Sequence, residues 1–117
     1  MHELSIGSAV VEAATRHAAG RPILRIHLRV GALRQVVPDS LAFSFELCAR
    51  GTPCEGATLE LERVAAELHC RECQESWQPE VAWFKCPHCA STDADVVAGD
   101  ELRIESIVVE EEPWTFS

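Results

Sequence analysis

The sequence predicts an α+β fold: two helices packed on a three-stranded mixed sheet, with a small four-cysteine zinc-ribbon module inserted between two of the strands. Three observations carry that expectation. Apolar residues recur at helical spacing in two stretches. Three other stretches alternate apolar and polar residues with period two. Two Cys-x-x-Cys pairs stand twelve residues apart, in a segment where the aliphatic pattern fades and cysteine, proline and tryptophan take over.

The first helix is expected over Leu4 to Ala19, where Ile6, Val10, Ala13, Ala14 and His17 share a face. Ser5 is a candidate cap, and Gly20 followed by Pro22 a stop. Ile23 to Val30 reads as a strand, with Leu24, Ile26, Leu28 and Val30 on one face and Arg25, His27 and Arg29 on the other. The basic face is read as solvated. A second helix begins near Val37-Pro38-Asp39-Ser40, because proline suits a first helical turn and aspartate suits its positive end. Leu41, Phe45 and Cys48 share its apolar face, and Gly51-Thr52-Pro53 ends it. Thr58 to Val64 is a second strand with Leu59 and Leu61 inward. Strand, helix, strand in this order favours a parallel crossover. Leu102 to Val109 is the third strand, and Glu110-Glu111-Glu112-Pro113 an acidic tail. The cysteine segment therefore interrupts one sheet. The expected domains are residues 1–64 with 98–117, and residues 65–97.

The 117 residues suffice for one compact domain with a small appended module. An apolar fraction of 47% excludes wholesale disorder. Nineteen acids against ten Lys and Arg give a net charge of −9, which opposes binding to nucleic acid or anionic membranes. No signal peptide or membrane span is expected. Six cysteines without a leader point to the reducing cytoplasm, where thiolates bind metal rather than pair.

Cys70-x2-Cys73 and Cys86-x2-Cys89 have the spacing of a tetrahedral Zn(II) site. A module of about 30 residues buries too little core to fold alone. A structural zinc contributes on the order of 10–16 kcal/mol of apparent binding free energy. Four thiolates leave no open coordination position, so the expected role is structural. His69 and His88 flank the cage, either as exposed residues or as groups that replace or tune a thiolate. Trp77, Trp83 and Phe84 are expected to form a small apolar patch. Cys48 reads as a buried small hydrophobe and Cys54 as a turn residue; neither is assigned a chemical role.

The front of the chain, Met1-His2, has a different character. An α-amine, backbone amide nitrogens and an imidazole can meet in one plane, the geometry Ni(II) and Cu(II) prefer and zinc does not. Metal binding there must expel an amide proton, so affinity should fall as pH drops.

Taken together, these features resemble the HypA/HybF family of hydrogenase nickel-incorporation proteins. The resemblance rests on Met1-His2-Glu3-Leu4-Ser5, Val30-Gly31-Ala32-Leu33, Val37-Pro38-Asp39-Ser40-Leu41, Gly51-Thr52 with Glu55-Gly56-Ala57, both cysteine pairs, and Gly99-Asp100-Glu101-Leu102. It implies a nickel metallochaperone, not an enzyme. Such a protein works with an accessory GTPase to load nickel into the large subunit of [NiFe]-hydrogenase, as a monomer or homodimer. The implied nickel residues are Met1, His2 and Glu3, and Asp39 matches an acidic position associated with that site in some members. The implied zinc ligands are Cys70, Cys73, Cys86 and Cys89. Val64-Ala65-Ala66-Glu67 lacks the proline common in relatives at this point.

Two rivals follow from the ribbon. A nucleic-acid reader needs cations, but residues 65–97 hold only Arg71 and Lys85 against Glu67, Glu72, Glu75, Glu80, Asp93 and Asp95, a net of −4. A zinc-ribbon interaction module without nickel delivery is the alternative, separated by metal analysis of the purified protein.

Overall fold

The structure, a computed structural model, describes residues 3–79 and 85–111. It contains the two helices and the mixed three-stranded sheet. Helix α1 spans Glu3–Ala18, with Glu3 in its first turn and Arg16 and His17 in its last, each sign matching the helix dipole. Ser5 lies inside this helix and does not cap it. Ile6, Val10 and Ala14 are buried as the spacing predicts, joined by Gly7, Val11 and Ala18; His17 is exposed. The helix ends where Ala19 and Gly20 take positive φ of 52° and 86°.

Strand β1 spans Ile23–Gly31. Ile26, Leu28 and Val30 are buried as expected, but Leu24 is 52% exposed and Ile23 takes its place at 2%. The Ile23 amide donates to the Pro53 carbonyl at 2.8 Å, which holds the first residue of the strand against the turn after α2. A single 3-10 turn, Ala32–Arg34, follows β1. Helix α2 spans Pro38–Ala49, with extended Val37 before it and Pro38 in its first turn. Leu41, Phe45 and Ala49, four residues apart, fill its buried face with Ser44. Cys48, expected inward, is only half-buried because Ala49 occupies the centre of that stripe. Thr52 closes the helix by donating from its amide (3.0 Å) and hydroxyl (2.6 Å) to the Ala49 carbonyl.

Strands β2 (Thr58–Val64) and β6 (Leu102–Val109) flank β1 in the order β2-β1-β6. The ion pairs Arg25–Glu60 (3.2 Å) and Arg29–Glu62 (2.8 Å) advance in the same direction along β1 and β2, as a parallel pair requires. The bonds from Gly31 N to Glu101 O (2.7 Å) and from Glu110 N to Pro22 O (2.8 Å) run in opposite directions along β1 and β6, as an antiparallel pair requires. The ion pairs lie on the basic face of β1, and their side chains remain partly exposed there, in keeping with a solvated face.

The chain divides into two compact units. One is built from the residues up to Leu28, Val36–Leu61 and those from Ile104 onward; the other from Arg29–Gln35 and Glu62–Arg103. In the first unit α1 packs on α2 at close range. A Cβ on Gly7 would lie 3.0 Å from the Phe45 amide nitrogen and 3.1 Å from the Ser44 carbonyl carbon. Cys54, the turn residue, is fully buried here, its sulfur 3.8 Å from both the Thr15 hydroxyl and the Val11 carbonyl oxygen.

The second unit holds a sheet that periodicity did not reveal: β3 (Glu67–Cys70), β4 (Ser76–Trp77) and β5 (Ala94–Ala98), ordered β4-β3-β5 and antiparallel throughout. Leu68, 1% exposed, pairs with Trp77 on one side and Val96 on the other. Trp77 is half-buried; Trp83 and Phe84 lie outside the described residues. The unit turns on one backbone crossing. A Cβ on Gly31 would fall 2.0 Å from the Gly99 carbonyl oxygen, and one on Gly99 would fall 2.5 Å from the Ala66 Cα. Gly31 has ordinary extended dihedrals, φ −72° and ψ 146°, so glycine is needed there for space alone. Gly99 has φ +104° and is needed for both space and conformation. The Gly99 carbonyl accepts the Leu33 amide at 2.8 Å, and the Asp100 carbonyl accepts Arg34 Nε at 2.9 Å.

Gly31→Ala should cost on the order of 3 kcal/mol in urea unfolding, because its obstacle is main chain that no rotamer change can move. Gly20→Ala, where φ is +86° but nothing lies within 4 Å, should cost only about 1 kcal/mol.

Candidate metal centre

The cysteine cage is assembled by two turns of the same design. In the first, Cys70 ends β3; its amide donates to the Glu75 carbonyl (2.8 Å), and its carbonyl accepts the Gln74 amide (3.0 Å). In the second, the Cys86 amide donates to Ser91 (2.9 Å) and its carbonyl accepts the Ala90 amide (2.9 Å). The fourth residue after each leading cysteine is left-handed, Gln74 at φ 66° and Ala90 at φ 64°. The sequence shows no repeat here, because main-chain bonds that any residue can make carry the likeness.

The turns bring Cys70, Cys73, Cys86 and Cys89 together with their sulfurs all within 4.8 Å of one another. Cys70 and Cys89 approach to 3.5 Å, as do Cys73 and Cys86. A tetrahedral cage with metal–sulfur bonds of about 2.3 Å has edges of about 3.8 Å, so this set of donors fits zinc. All four cysteines are free thiols, as are Cys48 and Cys54, and the S–S separations are far beyond a disulfide bond.

The thiols differ in acidity. The Cys73 backbone amide, pointing at the Cys70 sulfur, leads the effects that bring Cys70 down to about 7. For Cys73 the Glu75 amide pulls downward, but burial and the thiols of Cys86, Cys89 and Cys70 outweigh it and push it up to about 12. For Cys89 the Ser91 amide pulls downward, but burial and the thiols of Cys70 and Cys86 outweigh it and raise it as well. Crowded sulfurs therefore resist collective ionisation until a cation compensates them.

Around the cage, Arg71 clamps the first turn to the strand behind it. Its amide donates to the Asp93 carbonyl at 3.0 Å, its Nη1 to Asp93 Oδ1 at 3.1 Å and its Nε to Asp95 Oδ1 at 2.9 Å. The Arg71 guanidinium holds the Asp95 carboxyl below the usual carboxylate range. One of the two ribbon cations is thus committed internally, which further weakens a nucleic-acid reading. His69 is not a ligand in this arrangement: Nδ1 lies 3.0 Å from Ser76 Oγ and Nε2 3.0 Å from Gln74 Oε1. His88 is exposed, and only its backbone amide contacts a cage sulfur, that of Cys86 at 3.4 Å.

Among the described residues, the four cysteines are the one group of three or more His, Cys, Asp or Glu side chains placed to hold a metal. Met1 and His2 lie outside those residues. Glu3 is half-buried at the start of α1, and its Oε1 accepts the Val37 amide at 3.1 Å. That bond brings Glu3 to the first turn of α2, which carries the exposed Asp39. Positions 3 and 39, distant in sequence, thereby come to the same end of the helix pair.

A family model described as hydrogenase/urease nickel incorporation, metallochaperone, hypA matches residues 1–109. The chain belongs to the HypA family. Hydrogenase maturation factor HypA of Geotalea uraniireducens is 42% identical over 110 residues, covering 94% of this chain and all of that protein. The Nostoc sp. PCC 7120 protein of the same description is 38% identical over 111 residues, covering 95% of this chain and 97% of its own. The solution structure of the Ni metallochaperone HypA from Helicobacter pylori shares the fold, with a TM-score of 0.69 and 24% identity over 96% of this chain and all of that one. The Val30–Leu33 and Gly99–Leu102 segments that carry part of the resemblance meet at the Gly31–Gly99 crossing.

Loading the cage with Zn(II) should release two or more protons per ion at pH 7, since Cys73 and Cys89 are held protonated when the metal is absent. Calorimetry in buffers of different ionisation enthalpy measures the number. Affinity should fall as pH drops from 8 to 6, because protons compete for the same sulfurs.

Proposed function

We propose that this protein is a nickel carrier, not an enzyme, that binds Ni(II) at its amino terminus and keeps a separate structural Zn(II). The nickel segment is Met1, His2 and Glu3, with Asp39 as a further candidate. The zinc ligands are Cys70, Cys73, Cys86 and Cys89. With an accessory GTPase, the carrier delivers nickel to the large subunit of [NiFe]-hydrogenase in the cytoplasm. Residues 1–64 with 98–117 carry the nickel function, and residues 65–97 carry the zinc.

The observation behind this reading is the closure of the sulfur cage. Four thiolates complete a tetrahedral shell and leave no position for cargo. Thiolates also suit zinc, whereas planar amine, amide and imidazole nitrogens suit Ni(II). A nickel-incorporation protein with a closed sulfur site therefore needs a second site of different chemistry. The family match begins at residue 1, and Met1-His2 supplies that chemistry. Ligands at a chain end also favour hand-over, because a terminus can approach an acceptor without unfolding the body that carries it.

The surface is compatible with a protein partner. No helix among the described residues is long and apolar enough to cross a membrane. The acidic balance and the committed Arg71 disfavour phosphate backbones.

His2→Ala should abolish stoichiometric nickel binding in calorimetry while zinc content and melting temperature stay unchanged. One residue added ahead of Met1 should do the same, and nickel X-ray absorption of the untagged parent should show nitrogen-rich, sulfur-free coordination. Purified protein that holds zinc but never stoichiometric nickel would instead be a zinc-ribbon interaction module.

A further inference from the structure

We propose that Arg71 is a positioning residue of the zinc site: by holding Asp93 and Asp95 it sets the first cysteine turn against the second, and so limits how readily zinc is lost. The inference rests on the reading of the cage as a zinc site and assigns a role to a residue that supplies no ligand.

The cage needs a spacing that its own turns do not provide. Each cysteine turn is closed by main-chain bonds, from the Gln74 amide to the Cys70 carbonyl and from the Ala90 amide to the Cys86 carbonyl. Those bonds shape each turn by itself. The close sulfur approaches, Cys70 with Cys89 and Cys73 with Cys86 at 3.5 Å each, run between the turns. Sulfurs that ionise side by side repel one another, so they cannot hold that spacing unaided.

Arg71 stands where the two turns can be tied together. It follows Cys70 inside the first turn. Strand β5 pairs with β3 as far as Cys70 opposite Ala94, and the Arg71 amide adds one more bond, to the Asp93 carbonyl at 3.0 Å. The guanidinium continues the connection. Nη1 donates to Asp93 Oδ1 at 3.1 Å and Nε to Asp95 Oδ1 at 2.9 Å, while Nη2 also meets Asp95 Oδ1. All three guanidinium nitrogens are therefore used, in a fork that a lysine cannot reproduce. From Asp93 the path reaches the second turn. The Asp93 amide donates to the Ser91 hydroxyl at 3.0 Å, and the Ser91 carbonyl accepts the Cys86 amide at 2.9 Å.

The Arg71, Asp93 and Asp95 side chains are each about half exposed, so these pairs add little net stability. Their effect belongs in metal retention rather than in melting. Substitution also separates position from charge. Arg71→Ala removes a positive charge from the ribbon and Asp95→Ala a negative one. A purely electrostatic influence on the thiolates would move zinc loss in opposite directions in these two variants. Loss of a shared clamp moves it in the same direction.

Zinc transfer from the untagged, zinc-loaded full chain to excess EDTA gives the rate, and the absorption spectrum of Co(II)-loaded samples reports the sulfur ligand set. We expect Arg71→Ala and Asp95→Ala each to lose zinc about tenfold faster than the parent, the scale of removing a group that orients metal ligands. The double variant should be no faster than either single one, because the same clamp is lost in all three. Melting temperature and the Co(II) spectrum should match the parent. Arg25→Ala, which breaks the exposed Arg25–Glu60 pair on β1, should leave the rate unchanged.

Five results would overturn the assignment: opposite shifts in the two single variants, parent-like rates in either, additive effects in the double variant, an equal acceleration in Arg25→Ala, or a fall in melting temperature that accompanies the faster loss. A parent chain that purifies without zinc, or whose Co(II) form lacks tetrathiolate absorption, would defeat the cage reading itself, a failure distinct from these.

Discussion

The second unit depends on the absence of two side chains. Gly31 and Gly99 let three backbone segments touch where no Cβ can stand: the end of β1, the approach to β3 and the exit from β5. Hydrogen bonds gather at that crossing because it is tight. Leu33 reaches the Gly99 carbonyl, Gly31 reaches Glu101, and Arg34 reaches Asp100. Glu101 closes back on the Gly99 amide through Oε1 at 2.7 Å. That carboxyl lies below its usual range, chiefly through its own backbone amide, with Gly99 and nearby arginines adding to the effect.

Beyond the crossing, the ribbon has little apolar substance. Its described strands run to four, two and five residues, and the largest fully buried aliphatic side chain is Leu68. Area burial on that scale cannot offset the entropy of ordering the segment, so metal coordination has to contribute much of the stability. The charged residues serve alignment: Arg71 joins the first cysteine turn to Asp93 and Asp95 in partly exposed pairs, of which little net stabilisation is expected. This division assigns stability to sulfur and register to charge.

The sequence foretold whatever leaves a periodic or spacing signature. Both helices, β1, β2 and β6 were read within a residue or two because each carries several turns or pleats of pattern. The cage was read because C-x2-C spacing is itself a geometry. The ribbon strands were missed, since two to five residues cannot establish a period. The displacement of Leu24 by Ile23 was missed because it depends on a bond to Pro53, thirty residues away. Cys48 and Ala49 compete for one buried stripe, and neighbouring positions on a helix are hard to rank from pattern alone. Glu3 was read as part of the nickel segment, but its bond to Val37 has no local signature. The glycines of the Gly31 and Gly99 segments were recognisable by resemblance, yet only the fold gives the physical reason for them.

The paired turns of the cage carry a consequence for how a metal ion comes and goes. Each turn is closed by its own main-chain bonds, so Cys70 with Cys73, and Cys86 with Cys89, form two ready-made clips rather than four independent arms. Bound zinc would be held by these two clips, each supplying a pair of thiolates. Opening one clip would leave the other pair of sulfurs assembled, so a competing chelator could engage the ion without both clips having to open first.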